Sequence, residues 1–345
     1  MFTDPAKREM VSTSIPKKIH FIWVGGDIPE QYLSNIAYYR TLARQSGFEV
    51  NLWTDQEAHI LKPAHAIGLD LADLHLKDIR ELDPSNTKLW HCIDEESVGA
   101  HNYAAAADIL RLMILKQEGG YYFDVDLIPK LKVQEHDPLA GFGEDVLDNP
   151  KDTVTAPTIE KFVIPDAPYG FLCYCEEWGL QDSRQKDDKP LYIRRLSNHA
   201  LASTQNHTIV NLALDQIPGT YKSYNETLFE KRDKNQQLLH IVSMKDIKRN
   251  RNLERYRGGR QLTIDASGPG VIKAAITSFV KDKDIKDFSG FSFPLIARGH
   301  SNIIVMPNVE SHYANTWLGS RTKKAHEFED LPVDTQKDGR NRFRP

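Results

Sequence analysis

The sequence predicts an α/β fold with a mostly parallel central sheet and added helices, and three observations support this class. An apolar strand, a helix and a second strand follow one another over residues 15–55. An alanine-rich helix, a glycine pair and another apolar strand follow over residues 104–129. Strands that alternate with helices are typical of parallel sheets. A content of 40% hydrophobic and 27% charged residues is ordinary for a globular protein.

The composition of the 345 residues also excludes several classes of protein. The 44 Lys and Arg against 48 Asp and Glu give a net charge of −4, whereas nucleic-acid binders usually carry a basic excess. No apolar run reaches the roughly 18 residues of a membrane helix, and the first residues lack the apolar centre of a cleavable signal peptide. Cys92, Cys173 and Cys175 are too few for a disulfide framework. We therefore expect buried thiols and a cytoplasmic protein.

The first predicted unit is a strand, helix and strand. Residues 15–26 form an apolar run that two glycines close, and residues 29–46 carry apolar residues at helical spacing. Residues 48–55 alternate as a strand does. Ligands of parallel sheets collect beyond the carboxyl ends of the strands, so this rule places Gly25, Gly26 and Asp55 on the functional rim.

The segments that follow differ in how clearly the sequence predicts their structure. Residues 56–103 indicate helices and connections, and the clearest periodic stretch among them is residues 71–82. Residues 104–117 form the clearest helix, which the glycine pair ends, and residues 121–129 then form a strand. Residues 130–195 are predicted to be rich in loops.

Two carboxylates lie at the end of the last of these strands. Asp124 and Asp126 flank Val125, and a bend there would bring both toward one ion. Hard oxygen ligands suit Mg²⁺ or Mn²⁺, which complete their shells with water and phosphate oxygens. An Asp-x-Asp triplet alone is weak evidence, because a solvated turn is the common alternative.

A charged pair on the preceding helix strengthens the interpretation. Asp108 and Arg111 lie three residues apart and so share a helix face. An exposed pair at this spacing would contribute only a few tenths of a kcal/mol. The apolar residues around it predict a buried helix instead, and buried charges require partners. A polar ligand is therefore expected nearby.

The string AAAADILRLMILKQEGGYYFDVDLIP resembles the sugar-nucleotide core of the clostridial large glucosylating toxins and related bacterial Asp-x-Asp glycosyltransferases of the effector type. The opening KKIHFIWVGG resembles the first strand of the same family. The resemblance covers residues 16–55 and 100–130 most strongly. It implies a Rossmann-like nucleotide-sugar fold of the GT-A type.

The resemblance also implies roles for five residues. Trp23 would stack on the uracil of a UDP-sugar, and Asp108 would hydrogen-bond sugar or ribose hydroxyls. Arg111 would hold the donor sugar or the leaving diphosphate. Asp124 would contact the ribose or metal-bound water, and Asp126 would ligate Mn²⁺, or Mg²⁺ in its place. The metal would neutralise the charge that grows on UDP.

Further candidates come from the second half of the chain. Within ESHYANTWLG, Trp317 resembles the toxin tryptophan at the β-phosphate, which makes Asn315 the metal-shell residue and His312 a second candidate. The toxins carry a Glu and a Ser at those two places. Whether Asn315 or His312 coordinates the metal directly therefore stays open. LSNHALASTQNH resembles the acceptor-side segment, which places Asn198 near the sugar and His199 beside it. ASGPGVI, residues 266–272, resembles a turn that borders the donor pocket.

The domain prediction has three parts, which are an extension over residues 1–14, a catalytic domain over 15–319 and a charged, flexible tail over 320–345. The basic stretch 245–260 has three interpretations. It is a solvated loop, a surface for an acidic protein such as a small GTPase, or a peripheral membrane contact.

The predicted function is a metal-dependent retaining glycosyltransferase that moves a hexose from UDP-glucose or UDP-N-acetylglucosamine to a protein hydroxyl. Retention follows from the resemblance, which also implies action in a host cytosol. One alternative is a glycan-extending transferase of surface polysaccharide synthesis. Another is an inactive UDP-sugar-binding module. A haloacid-dehalogenase-type phosphatase is disfavoured, since Ile128 stands where that motif needs Thr or Val.

Overall fold

The structure is a computed structural model that describes residues 14–127, 167–180, 191–226, 228–232, 238–243, 264–285 and 289–291. All of them belong to one structural unit, Met1–Met306. The predicted tail over 320–345, residues 1–13 of the predicted extension and the basic stretch 245–260 lie outside the described residues.

The described chain alternates strands and helices, as the sequence predicts. The elements in chain order are β1 (Lys18–Trp23), α1 (Glu30–Ser46), β2 (Glu49–Thr54), α2 (Ala58–Ala66), β3 (Leu74–Asp78), a 3₁₀ turn (Ile79–Glu81), α3 (Thr87–Asp94), a π-helical turn (Glu95–Ala100), α4 (Tyr103–Glu118), β4 (Gly120–Phe123), β5 (Phe171–Leu180), β6 (Leu191–Ser203), α5 (Thr208–Asn225), β7 (Leu228–Arg232), β8 (Leu238–Ser243), α6 (Pro269–Asp282) and a second 3₁₀ turn (Ser289–Phe291).

Six of the strands form the central sheet in the order β3-β2-β1-β4-β6-β5. β1 pairs in parallel with both β2 and β4, and β2 pairs in parallel with β3. β6 runs antiparallel to β4 and to β5. β7 and β8 form a separate antiparallel pair. The predicted α/β fold with a mostly parallel sheet is confirmed.

Both faces of this sheet are covered, which explains the continuous apolar runs of its central strands. In β1, Ile19 and Phe21 pack with residues of α1, whereas Ile22 packs with residues of α3, α4 and α5. All four residues of β4 are buried. The carboxyl end of β4 therefore brings the chain from the core directly to the rim of the sheet.

α4 is the most deeply buried helix of this region. Its alanine-rich first turns favour helix, and 10 of its 16 residues are buried. Gly119 ends the helix with φ of +64°, and an added Cβ would lie 2.9 Å from the Gln205 backbone nitrogen. A residue with a side chain fits this position poorly, so the turn that aligns α4 with β4 depends on glycine.

Two element predictions are wrong in detail. Residues 71–82, predicted as a helical stretch, contain β3 and a 3₁₀ turn, because Leu74 and Leu76 alternate along a strand that pairs with β2. The strand predicted over 121–129 ends at Phe123. The chain turns there, and the Leu127 amide donates a hydrogen bond to the Asp124 carbonyl over 3.1 Å.

The prediction of loops over 130–195 is wrong for its described part. β5 and the start of β6 lie there, and the two strands pair over most of their length, which a reading of each strand alone does not predict. Cys92, Cys173 and Cys175 are buried thiols that form no disulfide, as predicted. Among the described residues, no helix has both the length and the apolar character needed to cross a membrane.

Candidate active site

A cluster of polar side chains lies where β4 ends. Arg111 on α4 is at its centre: Nη2 lies 2.9 Å from Asp108 Oδ1, and Nη1 lies 3.3 Å from Asp124 Oδ1. Nη1 also donates to the Asn198 carbonyl on β6. The guanidinium carbon lies 4.5 Å from the centre of the Tyr122 ring. One arginine thus joins a helix, the rim turn and two strands.

Each carboxylate of the cluster has a second partner. Asn198 Nδ2 donates to Asp108 Oδ1 over 2.8 Å, and the Tyr122 hydroxyl donates to Asp124 Oδ1 over 2.6 Å. The Asp108 and Arg111 side chains are 8% and 5% exposed, whereas that of Asp124 is 31% exposed. The cluster is therefore held from within and opens toward solvent at Asp124.

Burial shifts the ionisation of both carboxylates. Desolvation raises the pKa of Asp108 to about 6, and the nearby Arg111 opposes this shift. The pKa of Asp124 is also raised by burial and is lowered by Arg111 and by the Tyr122 hydrogen bond. One guanidinium shared by two carboxylates leaves negative charge in excess, so a cation or hydroxyl donors would stabilise this site.

Asp126 lies in the turn after β4, close enough to α1 for its charge to act on that helix. Burial raises the pKa of Tyr32 and Tyr39 on α1, and the charge of Asp126 adds to both shifts. Asn35 Nδ2 on the same helix donates to the Val125 carbonyl over 3.0 Å. The two aspartates of the motif therefore serve different neighbours, since Asp124 contacts α4 and Asp126 acts on α1.

The oxygen donors of the turn after β4 are of the kind that a divalent ion prefers. Asp124 and Asp126 present hard oxygens on one partly exposed turn, and the raised pKa of Asp124 indicates that a cation nearby would be favourable. Within the described ranges, no three His, Cys, Asp or Glu side chains form a group that could hold a metal. The predicted Asn315, His312 and Trp317 lie outside the described residues.

Trp23 is the last residue of β1 and lies at the same rim. Its Nε1 donates to the Gly26 carbonyl over 2.7 Å, and its ring lies 5.5 Å from that of Tyr32. Tyr32 is also one of the two tyrosines whose pKa is raised in part by the charge of Asp126. Trp23 is only partly buried, so a flat ring could stack on it.

The glycine turn after Trp23 packs closely against α4 at Gly25. Gly25 has φ of +89°, and its amide donates to Asp55 Oδ2 over 3.1 Å. An added Cβ at Gly25 would lie 2.4 Å from the Tyr103 ring. The predicted rim residue Gly25 thus contacts both Asp55, the other predicted rim residue, and the start of α4.

The two further predicted segments also reach the cluster. Asn198 binds both Asp108 and Arg111, as described above. His199 pairs with the Ser197 hydroxyl, and its ring lies 4.8 Å from that of Tyr174. Burial lowers the pKa of His199 to about 3, so the ring is neutral. An added Cβ at Gly268, in the predicted 266–272 turn, would lie 3.3 Å from Asp108 Oδ2.

Sequence reasoning missed two residues of this region. Tyr122 stands two positions before Asp124 and so shares its side of the strand, a spacing that could have indicated the contact. Glu96 is 1% exposed in the π-helical turn before α4, and its charge adds to the pKa shift of Asp108, which burial dominates. No pattern in the sequence marks it.

Comparisons with known proteins agree with these motifs. Residues 17–67 and 68–136 match the model of the TcdA/TcdB catalytic glycosyltransferase domain. This part runs from β1 past the Asp-x-Asp turn and contains the Trp23, Asp108, Arg111, Asp124 and Asp126 positions. The resemblance to the catalytic domain of the clostridial toxins is confirmed.

Two relatives have matching sequences. Subversion of eukaryotic traffic protein A from Legionella pneumophila is 34% identical over 119 residues, which are 33% of this chain and 17% of that protein. Cytotoxin-L from Paraclostridium sordellii is 43% identical over 141 residues, which are 41% of this chain and 5% of that protein. The matched part is a small fraction of each relative.

A solved structure extends the comparison to the fold. The catalytic domain of alpha-toxin from Clostridium novyi aligns with a TM-score of 0.50 and 15% identity, covering 92% of this chain and 83% of that domain. The predicted GT-A-type α/β fold is confirmed.

Proposed function

We propose that this chain, whose residues 17–136 are of the TcdA/TcdB catalytic type, is a metal-dependent retaining glycosyltransferase. It transfers a hexose from UDP-glucose or UDP-N-acetylglucosamine to a hydroxyl group of a protein. The observation that carries the proposal is the buried Arg111, which two carboxylates and the Asn198 carbonyl hold at the rim of the sheet.

The arrangement of charge supports an anionic donor with a sugar. Arg111 is fixed by its neighbours before any ligand arrives, so it can bind the diphosphate or the donor sugar with little reorganisation. Asp108 has one oxygen occupied by Arg111 and Asn198, and its carboxylate can accept hydrogen bonds from sugar or ribose hydroxyls. Trp23 offers its ring to the uracil.

Asp124 and Asp126 would hold Mn²⁺ or Mg²⁺, with Asn315 or His312 as further candidates. When bound, the ion supplies positive charge next to the diphosphate on which negative charge develops. Asp124 stays oriented by Arg111 and by the Tyr122 hydroxyl, and the amide of Asn35 on α1 holds the turn that carries Asp126. The protein therefore presents both carboxylates from a fixed turn.

Retention of configuration is proposed from the resemblance. The buried Asp108 is already engaged by Arg111 and Asn198, which disfavours it as a nucleophile for double displacement. The neutral His199 has a pKa of about 3 and would be a weak base near neutral pH. Attack on the same face, with the departing UDP as proton acceptor, is the simpler route.

The acceptor is proposed to be a host protein, such as a small GTPase, and the site of action the host cytosol. By their names, one relative subverts eukaryotic traffic and the other is a cytotoxin, which supports a host-cell acceptor. The basic stretch 245–260 is the candidate surface for binding an acidic acceptor or for a peripheral membrane contact.

Intact-mass spectrometry of host-cell lysate proteins tests donor and acceptor together. The lysate is incubated with the protein, Mn²⁺ and either UDP-glucose or UDP-N-acetylglucosamine. We expect one protein to gain one hexose or one N-acetylhexosamine. Asp124→Asn should abolish the gain, whereas the exposed Asp94→Asn on α3 should not.

Other outcomes would favour the alternatives. Labelling of a lipid-linked or oligosaccharide acceptor, with no protein modified, would favour polysaccharide synthesis. UDP binding without turnover of either donor would favour an inactive binding module. Equal labelling by the parent protein and by Asp124→Asn would contradict the proposed site.

A further inference from the structure

We propose that Asp55 is a positioning residue for Trp23, and that it acts through the glycine turn, residues 24–29, which links β1 to α1. The inference deepens the proposed function and rests on it, because Trp23 is there taken to stack on the uracil of the donor. The Asp55 carboxylate contacts this turn at the Gly25 amide. We assign it no contact with the donor.

The parallel register of the sheet brings Asp55 beside the glycine turn. Trp23, the last residue of β1, pairs with Thr54, the last residue of β2. The two strands run in the same direction, so the residues that follow them leave the sheet at the same edge. Asp55 is the first residue after β2, and its Oδ2 accepts a hydrogen bond from the Gly25 amide over 3.1 Å. An ionised acceptor makes this bond stronger than one between neutral groups.

The glycine turn is joined to the Trp23 ring by a second hydrogen bond. The indole Nε1 donates to the Gly26 carbonyl over 2.7 Å. Gly26 directly follows Gly25, whose amide donates to Asp55. The position of the ring therefore depends on the position of the turn, and the carboxylate is connected to the ring through the backbone of two neighbouring glycines.

The two glycines have little packing of their own to hold them. Their φ values are +89° for Gly25 and +132° for Gly26, which lie in the region that favours glycine. An added Cβ at Gly26 would meet no described residue within 4 Å. Gly25 packs against the Tyr103 ring, but a hydrogen bond adds a direction that packing lacks. A turn that is fixed before the donor arrives lowers the entropy lost on binding.

The Asp55 carboxylate is itself held in place. Its other oxygen, Oδ1, lies 3.5 Å from His59 Nδ1 in the first turn of α2 and 3.5 Å from the Thr54 hydroxyl. The His59 carbonyl also accepts a hydrogen bond from the amide of Ile28, near the end of the glycine turn, over 3.0 Å. Ile28 is 2% exposed. Loss of the Asp55 carboxylate should therefore loosen the glycines and leave the buried end of the turn in place.

The test compares Asp55→Ala and Asp55→Asn with Asp70→Ala. Asparagine removes the same charge but keeps a side-chain oxygen for the Gly25 amide, so it should restore what alanine loses. Asp70 Oδ1 accepts a hydrogen bond from the Ala72 amide over 2.8 Å in the loop after α2, so Asp70→Ala makes the same chemical change elsewhere. Steady-state kinetics with the UDP-sugar and Mn²⁺ are measured, together with inhibition by uridine and by pyrophosphate.

We expect Asp55→Ala to raise the donor KM about fivefold or more with a change in kcat of less than about twofold, because the uracil is remote from the reacting carbon. Inhibition by uridine should weaken by a similar factor, whereas inhibition by pyrophosphate should change less than about twofold. Asp55→Asn and Asp70→Ala should stay within about twofold of the parent. Equal weakening of uridine and pyrophosphate, or an Asp55→Asn as impaired as Asp55→Ala, would overturn the proposal.

Amide hydrogen exchange of peptides over residues 24–29 needs no donor, so the two proposals fail separately. Exchange there should rise about threefold or more in Asp55→Ala, while exchange over α1 and α2 stays at the level of the parent. A parent protein that consumes no UDP-sugar would contradict the proposed function. Unchanged exchange over residues 24–29 in a folded Asp55→Ala would contradict the role of Asp55, whether or not the parent is active.

Discussion

At the scale of single residues, Asp108 has opposing influences on its charge. Burial favours the protonated carboxyl, while Arg111 and the hydrogen bond from Asn198 favour the ionised form, and the resulting pKa is about 6. An Asp in water has a pKa near 4. A site with such a balance responds to pH in the physiological range, which makes Asp108 accessible to measurement.

The first prediction concerns the pH dependence of kcat/KM for the donor. The acid limb should have its midpoint near pH 6, because Asp108 loses its charge below that pH. Asn198→Ala removes a hydrogen bond that lowers the pKa of Asp108, so the midpoint should move to higher pH. Asn211→Ala on α5 makes the same chemical change away from the cluster and should leave the midpoint in place. An unmoved limb in Asn198→Ala would contradict this assignment.

A second residue-scale prediction concerns Arg111. Arg111→Lys keeps the charge but cannot contact Asp108, Asp124 and the Asn198 carbonyl at once. We expect kcat/KM to fall about 100-fold or more, with circular dichroism close to that of the parent. Arg80→Lys alters an exposed ion pair with Asp78 and should retain activity. Near-parental activity of Arg111→Lys would exclude the arginine from the reaction.

At the scale of elements, the turn after β1 connects the donor rim to α4. Gly25 has a positive φ and packs against the Tyr103 ring, and the Gly26 carbonyl accepts from the Trp23 indole. The start of α4, the turn and the tryptophan therefore form one contact. A side chain added at Gly25 should therefore disturb the position of Trp23.

The third prediction tests this contact. Gly25→Ala should lower the free energy of unfolding by about 1–3 kcal/mol, because the φ of +89° is strained for alanine and the ring must move. UDP binding should weaken as well, which calorimetry measures. The exposed Gly219 lies inside α5 with open space around it, so Gly219→Ala should stabilise by about 0.5–1 kcal/mol. Equal stability of Gly25→Ala and the parent in urea would contradict the contact.

The elements differ in how far the sequence predicts them. α4 and the start of β4 follow from local signals, since alanine, apolar spacing and a glycine cap all agree. The sequence predicts a helical stretch at β3 because a five-residue strand at the sheet edge has too few alternating positions to decide the period. β5 and β6 depend on pairing with each other, which no local pattern contains.

At the scale of the whole molecule, the sheet encloses a neutral histidine. His20 Nε2 donates to the Gly119 carbonyl over 3.0 Å, while Nδ1 accepts from Trp53 Nε1 over 3.2 Å. Burial lowers the pKa of His20 to about 4, from an ordinary value of 6.5. A proton therefore binds the unfolded chain more readily than the folded one in mild acid.

The fourth prediction follows from that difference. The contribution of His20 to stability is constant above pH 6.5 and is lost as the pH falls from 6.5 to 4, by up to about 3 kcal/mol. Urea unfolding at pH 7.5 and pH 5 should show the loss. His20→Gln should reduce the difference between the two pH values, whereas His91→Gln on the surface of α3 should not. An unchanged difference in His20→Gln would assign the acid sensitivity elsewhere.

The site as a whole is only partly predictable from the sequence. The helical spacing of Asp108 and Arg111 and the strand-end position of Asp124 place those three residues near one another. Asn198 comes from a strand far along the chain, and only the family resemblance indicated it. The position of Asp126 near α1 depends on the turn after Phe123, which the predicted longer strand does not contain.

The most direct test of the central claim is the release of UDP from UDP-glucose and UDP-N-acetylglucosamine, followed with Mn²⁺ at pH 8. We expect release from at least one donor by the parent protein. Release should fall about 100-fold or more in Asp126→Asn and after chelation of the metal. Consumption of neither donor by the folded parent, or equal release by Asp126→Asn, would contradict the proposed function.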